Sequence, residues 1–148
     1  MSIMNRFAAF AAFACLASAS VTVLADDHAY SEGPVVNVAR IRTVDGKFDD
    51  YMNWIGTKWK MEQEIGKKDG SIVSYAVYQV QPRGPEDADL LLVITYKNWA
   101  ALDGALARGD AVAKQVDGSV AASNQAQVDR ARIRTVLGST TMQELMLR

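Results

Sequence analysis

The segment from Asp89 to Tyr96 reads DLLLVITY and contains five aliphatic residues in an unbroken run. A run this short, bounded by turn residues, is a strand signal rather than a helical one. Side chains alternate across a strand, so Leu90, Leu92 and Ile94 face one way while Leu91 and Val93 face the other. Ser71 to Gln81, SIVSYAVYQVQ, has the same property, with Ile72, Ala76 and Val80 opposing Val73, Tyr75 and Val77. Pro82 to Asp87 lies between the two and carries two prolines and a glycine, so the strands are expected to pair as a hairpin. An antiparallel sheet wet on one side alternates apolar with polar residues. This hairpin does not, so both faces of its sheet need cover.

The remaining elements supply one cover. Val35 to Val44, VVNVARIRTV, is β-rich and is broken by Asp45-Gly46. From Lys47 to Lys68 the residues Phe48, Tyr51, Met52, Ile55 and Trp59 fall on one helical face, and Gly66, Lys67, Lys68 and Gly70 suit its C-terminal end. Asn98 can cap a helix from Trp99 to about Val116, with Leu102, Leu106 and Val112 inward. Asp117 to Leu137 is expected to continue as helix until Gly138, and Thr140 to Arg148, TTMQELMLR, alternates as a fourth strand. The order β-α-β-β-α-β predicts an α+β chain on the ferredoxin-like plan, an antiparallel sheet with its helices on one face. The other face is left bare, and the simplest cover for it is the same face of a second copy.

Three passages carry a resemblance: VARIRTVDGKFDDYMNW, YAVYQVQPRGPEDADLLLVITYKNWAAL and the closing strand. Over Val35 to Arg148 the chain resembles the dimeric α+β barrel superfamily, in which two ferredoxin-like subunits close their sheets into one barrel. That superfamily includes stress-responsive barrel proteins, cofactor-free monooxygenases, heme-degrading enzymes and relatives of dye-decolourising peroxidases. The resemblance therefore implies a fold and a homodimer rather than one activity. Its heme-dependent members rely on a histidine near the pocket. The one histidine here, His28, precedes the first strand, and no cofactor is expected in the domain.

The N-terminus reads as a secretory leader. Arg6 is followed by an apolar, Ala-rich run from Phe7 to Leu24, and Ala25 is the preferred cleavage point over Ala19. Residues 1–25 would leave as a signal peptide, residues 26–34 would form a flexible arm, and residues 35–148 would be the domain. The expected location is periplasmic or secreted, with no membrane attachment after cleavage. Cys15 falls in the leader, so the exported chain has no thiol. Cleavage after Ala25 would put Asp26, Asp27 and His28 first. A free amine, two deprotonated backbone amides and the imidazole could then enclose Cu(II) or Ni(II) in a square plane. The balance of 16 Lys and Arg against 17 Asp and Glu offers no clustered field for nucleic acid.

Candidate site residues come from the aromatic set. Tyr51, Ile55 and Trp59 recur every four residues as a stripe toward the sheet, and Tyr78 and Tyr96 lie on the hairpin strands, where either could face that stripe. Such rings give a cavity apolar walls with polar tips, and Asn37 and Arg40 add polar groups on the first strand. Arg40 and Arg42 could instead pair across strands with Glu144. Arg130, Arg132 and Arg134 read as a solvated basic helix end. The function expected from these residues is binding of a small apolar or aromatic molecule, with cofactor-free oxygenase or isomerase-like chemistry on an enolisable ligand as its catalytic form. The alternative is a non-catalytic structural or interaction module of the same fold.

Overall fold

The computed structural model describes residues 28–148; the expected leader and Asp26 and Asp27 lie outside them. The chain runs β1 (Tyr30–Thr43), α1 (Phe48–Trp54), a π turn (Ile55–Trp59), α2 (Lys60–Lys68), β2 (Ser74–Gln79) and β3 (Leu90–Tyr96). A short 3-10 turn (Trp99–Leu102), α3 (Ala105–Asp117), α4 (Val120–Arg130) and β4 (Arg134–Leu147) complete it. The four strands form one antiparallel sheet in the order β2-β3-β1-β4, the ferredoxin-like arrangement.

Register divides the side chains by face. Ile41 opposite Leu90, Ala39 opposite Leu92 and Val77 opposite Leu92 lie on the helix side. Val36, Val38, Leu91, Val93 and Ala76 lie on the other side, where no element of the described chain packs. The core on the helix side is built from Ile41, Tyr51, Ile55, Trp59, Leu90 and Leu92. The π turn explains how Tyr51, Ile55 and Trp59 can all be buried at a strict four-residue repeat. Four residues overshoot an α turn, whereas the wider i→i+5 turn falls short, and the two errors cancel along the stripe. The Thr57 hydroxyl donates to the carbonyl oxygen of Asn53 at 2.8 Å, satisfying an acceptor in the altered turn.

Several expectations are corrected. The arm expected over residues 26–34 is strand from Tyr30 onward, because Tyr30 and Ser31 pair with Leu147 and Met146. Gly66 does not end a helix but lies inside α2, packed so closely on Ile72 that a Cβ would sit 2.6 Å from its Cδ1. Leu106 is exposed rather than inward, because the break at Gly104, whose φ is +70°, resets the phase and gives the inward position to Val116. The expected helix up to Leu137 stops at Arg130, since Arg134 already pairs with Thr43 in β4.

Gly138 is therefore inside a strand. Arg40 pairs with Gly138 while Ile41 pairs with Val136, which leaves Leu137 as an extra residue in a β-bulge. The backbone there has φ +129°, a conformation that favours glycine.

Candidate functional site

Where α4 covers the sheet, the packing changes character. The helix is capped by Ser119, whose hydroxyl accepts from the Ala122 N–H at 3.0 Å, but it buries none of its own residues. Ser123, Gln127, Arg130 and, just beyond the helix, Arg134 recur at helical spacing and line a cavity of about 220 Å³ over the sheet. Tyr51, Trp54 and Trp59 form its aromatic wall, and Ala39, Ile41 and Leu92 form its floor. An adjoining pocket of about 310 Å³ shares Glu62, Ser123 and Gln127 with it and reaches Tyr96, Arg108 and Val112.

The rings are ordered by one another. Tyr51 and Trp54 stack with centroids 5.4 Å apart, and Trp59 meets Tyr75 edge-on at 5.4 Å. Arg130 lies over the Trp54 ring at 4.2 Å and Arg134 over the Tyr51 ring at 5.8 Å. Lys58 ties the π turn to the end of α3, donating to the Val116 carbonyl at 2.7 Å and pairing with Asp117 at 3.2 Å. This anchor holds the π turn, which carries Trp59, against the end of α3.

Burial pushes the Tyr51 phenol up, opposed by the charges of Arg134 and Arg130 and by hydrogen bonding from Arg134. Burial likewise raises the Glu62 carboxyl, with Arg130 pulling the other way. Arg130 is lowered by burial and then by the like charge of Arg134. The site thus gathers a phenol, a carboxyl and two guanidinium groups.

The expected site residues divide. Tyr51 and Trp59 are in the cavity wall, and Tyr96 lines the adjoining pocket, its phenol raised by burial. Tyr78 does not join them: its register opposite Leu91 places it on the open face, where it is 55% exposed. Arg40 is exposed on that same face. Asn37 is on the helix side of β1, but its amide donates to the Thr141 hydroxyl at 2.8 Å and it lines neither pocket.

The pairing considered for Glu144 is absent, since β4 carries it to the strand end beside Gly33, and Arg42 pairs with Glu86 at 3.1 Å instead. His28 stacks on Tyr30 at 5.5 Å. Among the described residues no three His, Cys, Asp or Glu side chains gather as a metal-binding group.

Sequence reasoning missed Glu62, Gln127, Arg130 and Arg134. The arginines alternate in the sequence as if on a solvated end. The usable signal was the helical spacing of Ser123, Gln127 and Arg130 in a segment with few large apolar residues. A larger cleft of about 700 Å³ lies among the turns around Arg42 and Glu86. Most of the charges around it are engaged: Arg42 with Glu86, Arg83 with Asp87, and Asp89 with the Thr43 N–H and hydroxyl.

No family model and no curated protein matches the chain in sequence. Among solved structures, it is similar to a dimeric ferredoxin-like protein from an uncultured marine organism. That likeness has 13% identity and a TM-score of 0.51, and covers 80% of this chain and 98% of the other. HapK from Hahella chejuensis aligns at 15% identity and TM-score 0.49, covering 74% and 91% of the two chains. Protein SO0527 from Shewanella oneidensis aligns at 10% and 0.49, covering 79% and 96%. Strand order, helix placement and the first of these likenesses agree: the chain has the ferredoxin-like α+β fold that its sequence resembles.

Proposed function

We propose that this protein binds a small aromatic or enolisable molecule in the cavity between the sheet and α4, working as an exported homodimer. The observation that carries the reading is an aromatic wall that converges without filling the space. Tyr51, Trp54 and Trp59 border a cavity of about 220 Å³ whose lid is a polar helix. A half-open apolar cleft with a few convergent polar groups is the usual form of a small-molecule site, and this one has that form. The groups lining the cavity are phenol, carboxyl and guanidinium, which move protons and hold oxygen anions. They suit isomerase-like or cofactor-free chemistry on an enolisable carbonyl compound better than phosphate transfer.

The second copy belongs to the open face. Val36, Val38, Leu91, Val93 and Ala76 make an aliphatic surface with no partner in the described chain, and the similar marine protein is itself dimeric. Export rests on the leader reading of residues 1–25.

Calorimetry with benzyl alcohol, a neutral aromatic probe, tests the pocket. Saturable binding is expected in the wild type and is lost in Ser123→Leu, which fills the cavity from α4 without removing any wall, while the melting temperature holds or rises. A wild type that binds no aromatic probe overturns the reading in favour of a structural module.

A further inference from the structure

The two arginines of the cavity are incompletely partnered. Arg130 Nε and Arg134 Nε are both buried, and neither donates to an acceptor among the described residues. Each guanidinium carbon lies over a ring, Arg130 over Trp54 and Arg134 over Tyr51, a contact that gives neither Nε–H an oxygen acceptor. Arg134 reaches Gln127 Oε1 at 3.4 Å through another nitrogen, which leaves its Nε without an acceptor. Buried donors in folded proteins are nearly always paired, so two orphans side by side need an explanation.

Charge counting points the same way. Among the described residues Glu62 is the one carboxylate lining this cavity. Asp117 is held by Lys58, and Asp89 accepts from Thr43. Two guanidinium groups against one carboxylate leave a surplus positive charge in a partly dry site, where like charges repel. The chain also departs from regularity to create this surplus. Without the bulge at Leu137, the alternation of β4 would carry Arg134 to the open face; the extra residue sets it opposite Thr43, on the helix side.

We infer that Arg130 and Arg134 form a receptor for the anionic edge of the ligand, so that the pocket selects planar monoanions, aromatic carboxylates or enolates, over their neutral counterparts. This rests on the pocket reading above. The carboxylate or enolate oxygens accept from the two Nε–H groups, and its apolar body lies along Tyr51, Trp54 and Trp59.

Calorimetric titration with benzoate, benzamide and benzyl alcohol separates the two claims. Benzoate is expected to bind at least roughly tenfold more tightly than benzamide. Arg130→Gln and Arg134→Gln should each erase that preference, whereas Arg132→Gln, on an exposed neighbour, should keep it. Arg134→Lys, which retains charge but loses the planar fork, should keep only part and serves if a glutamine variant fails to fold. Equal binding of the three probes overturns the anion receptor while leaving the pocket intact. Binding of none overturns both. A preference that survives in both glutamine variants also overturns the receptor.

Discussion

The two faces of the sheet share their strands yet are built for different neighbours. The open face presents the short aliphatic side chains Val36, Val38, Leu91, Val93 and Ala76, with Arg40 and Tyr78 as its polar groups beside Leu91. The helix face begins the same way at Ile41, Leu90 and Leu92 but changes toward α4, where rings, a carboxyl and two guanidinium groups replace aliphatic packing. Apolar burial is non-directional and rewards area, so a face that meets a second sheet, as proposed above, need only be smooth. Ligand recognition needs space and aimed donors, and only the helix face keeps both. The helix face is itself divided: α1, the π turn and α2 close a dry core, while α4 contributes a polar lid.

The largest expected effect is on the dry half. Trp59 is 6% exposed and packs edge-on against Tyr75. Trp59→Ala should cost roughly 3 to 5 kcal/mol, read as a lowered midpoint in urea unfolding. A loss below about 1 kcal/mol would mean that the cavity extends under this ring and that the core is less dry than its burial implies.

On the open face the corresponding change is Val93→Glu. In a dimer closed through this face the carboxylate is buried without a partner, and association should weaken by about 3 kcal/mol, more than a hundredfold. Light scattering should then show the protein as half-mass species or aggregate. If wild-type protein scatters as a monomer at micromolar concentration, the open face is not a sheet-to-sheet interface and the comparison loses one of its terms.

Most of the fold could be read from residue patterns because those patterns record burial. The doubly apolar hairpin and the stripe of Tyr51, Ile55 and Trp59 appear as expected, whereas Asn98, whose side chain accepts from the Ala101 N–H at 3.2 Å, caps only the 3-10 turn Trp99–Leu102, and the helix expected from Trp99 begins at Ala105. The site was half legible for a physical reason. Tyr51 and Trp59 were found because they lie on the apolar stripe. Arg134 was not, because its direction depends on the Leu137 bulge, and an inserted residue leaves no periodicity to read. Tyr78 was misplaced between two options that alternation allowed equally until the register with Leu91 decided it.

A finer change sharpens the contrast between core and site. Tyr51 is fully buried, yet its phenol lies under the influence of Arg134 and Arg130. Tyr51→Phe keeps the ring and removes the hydroxyl, so stability should move by no more than about 1 kcal/mol. Benzoate affinity should fall roughly fivefold, since the hydroxyl helps hold Arg134 in place. A larger loss of stability with unchanged affinity would place Tyr51 with the core rather than the pocket.

The smallest effect is electrostatic and depends on pH. Burial raises the Glu62 carboxyl above its ordinary 4.5, with Arg130 and Lys58 opposing the rise and Asp117 adding to it. Between 4.5 and the raised value the folded state holds a proton that the unfolded state has released, so the contribution of Glu62 to stability falls as pH climbs through that window. Below 4.5 the carboxyl is neutral in both states and resembles an amide. Glu62→Gln should therefore match the wild type in acid and exceed it by a constant margin once the native carboxyl is fully ionised. It should also tighten benzoate binding at neutral pH, because the remaining surplus of Arg130 and Arg134 faces the anion unopposed. Melting curves that differ by the same amount at every pH would show that Glu62 packs rather than titrates, and that the wet half of the helix face is less charged than its geometry makes it.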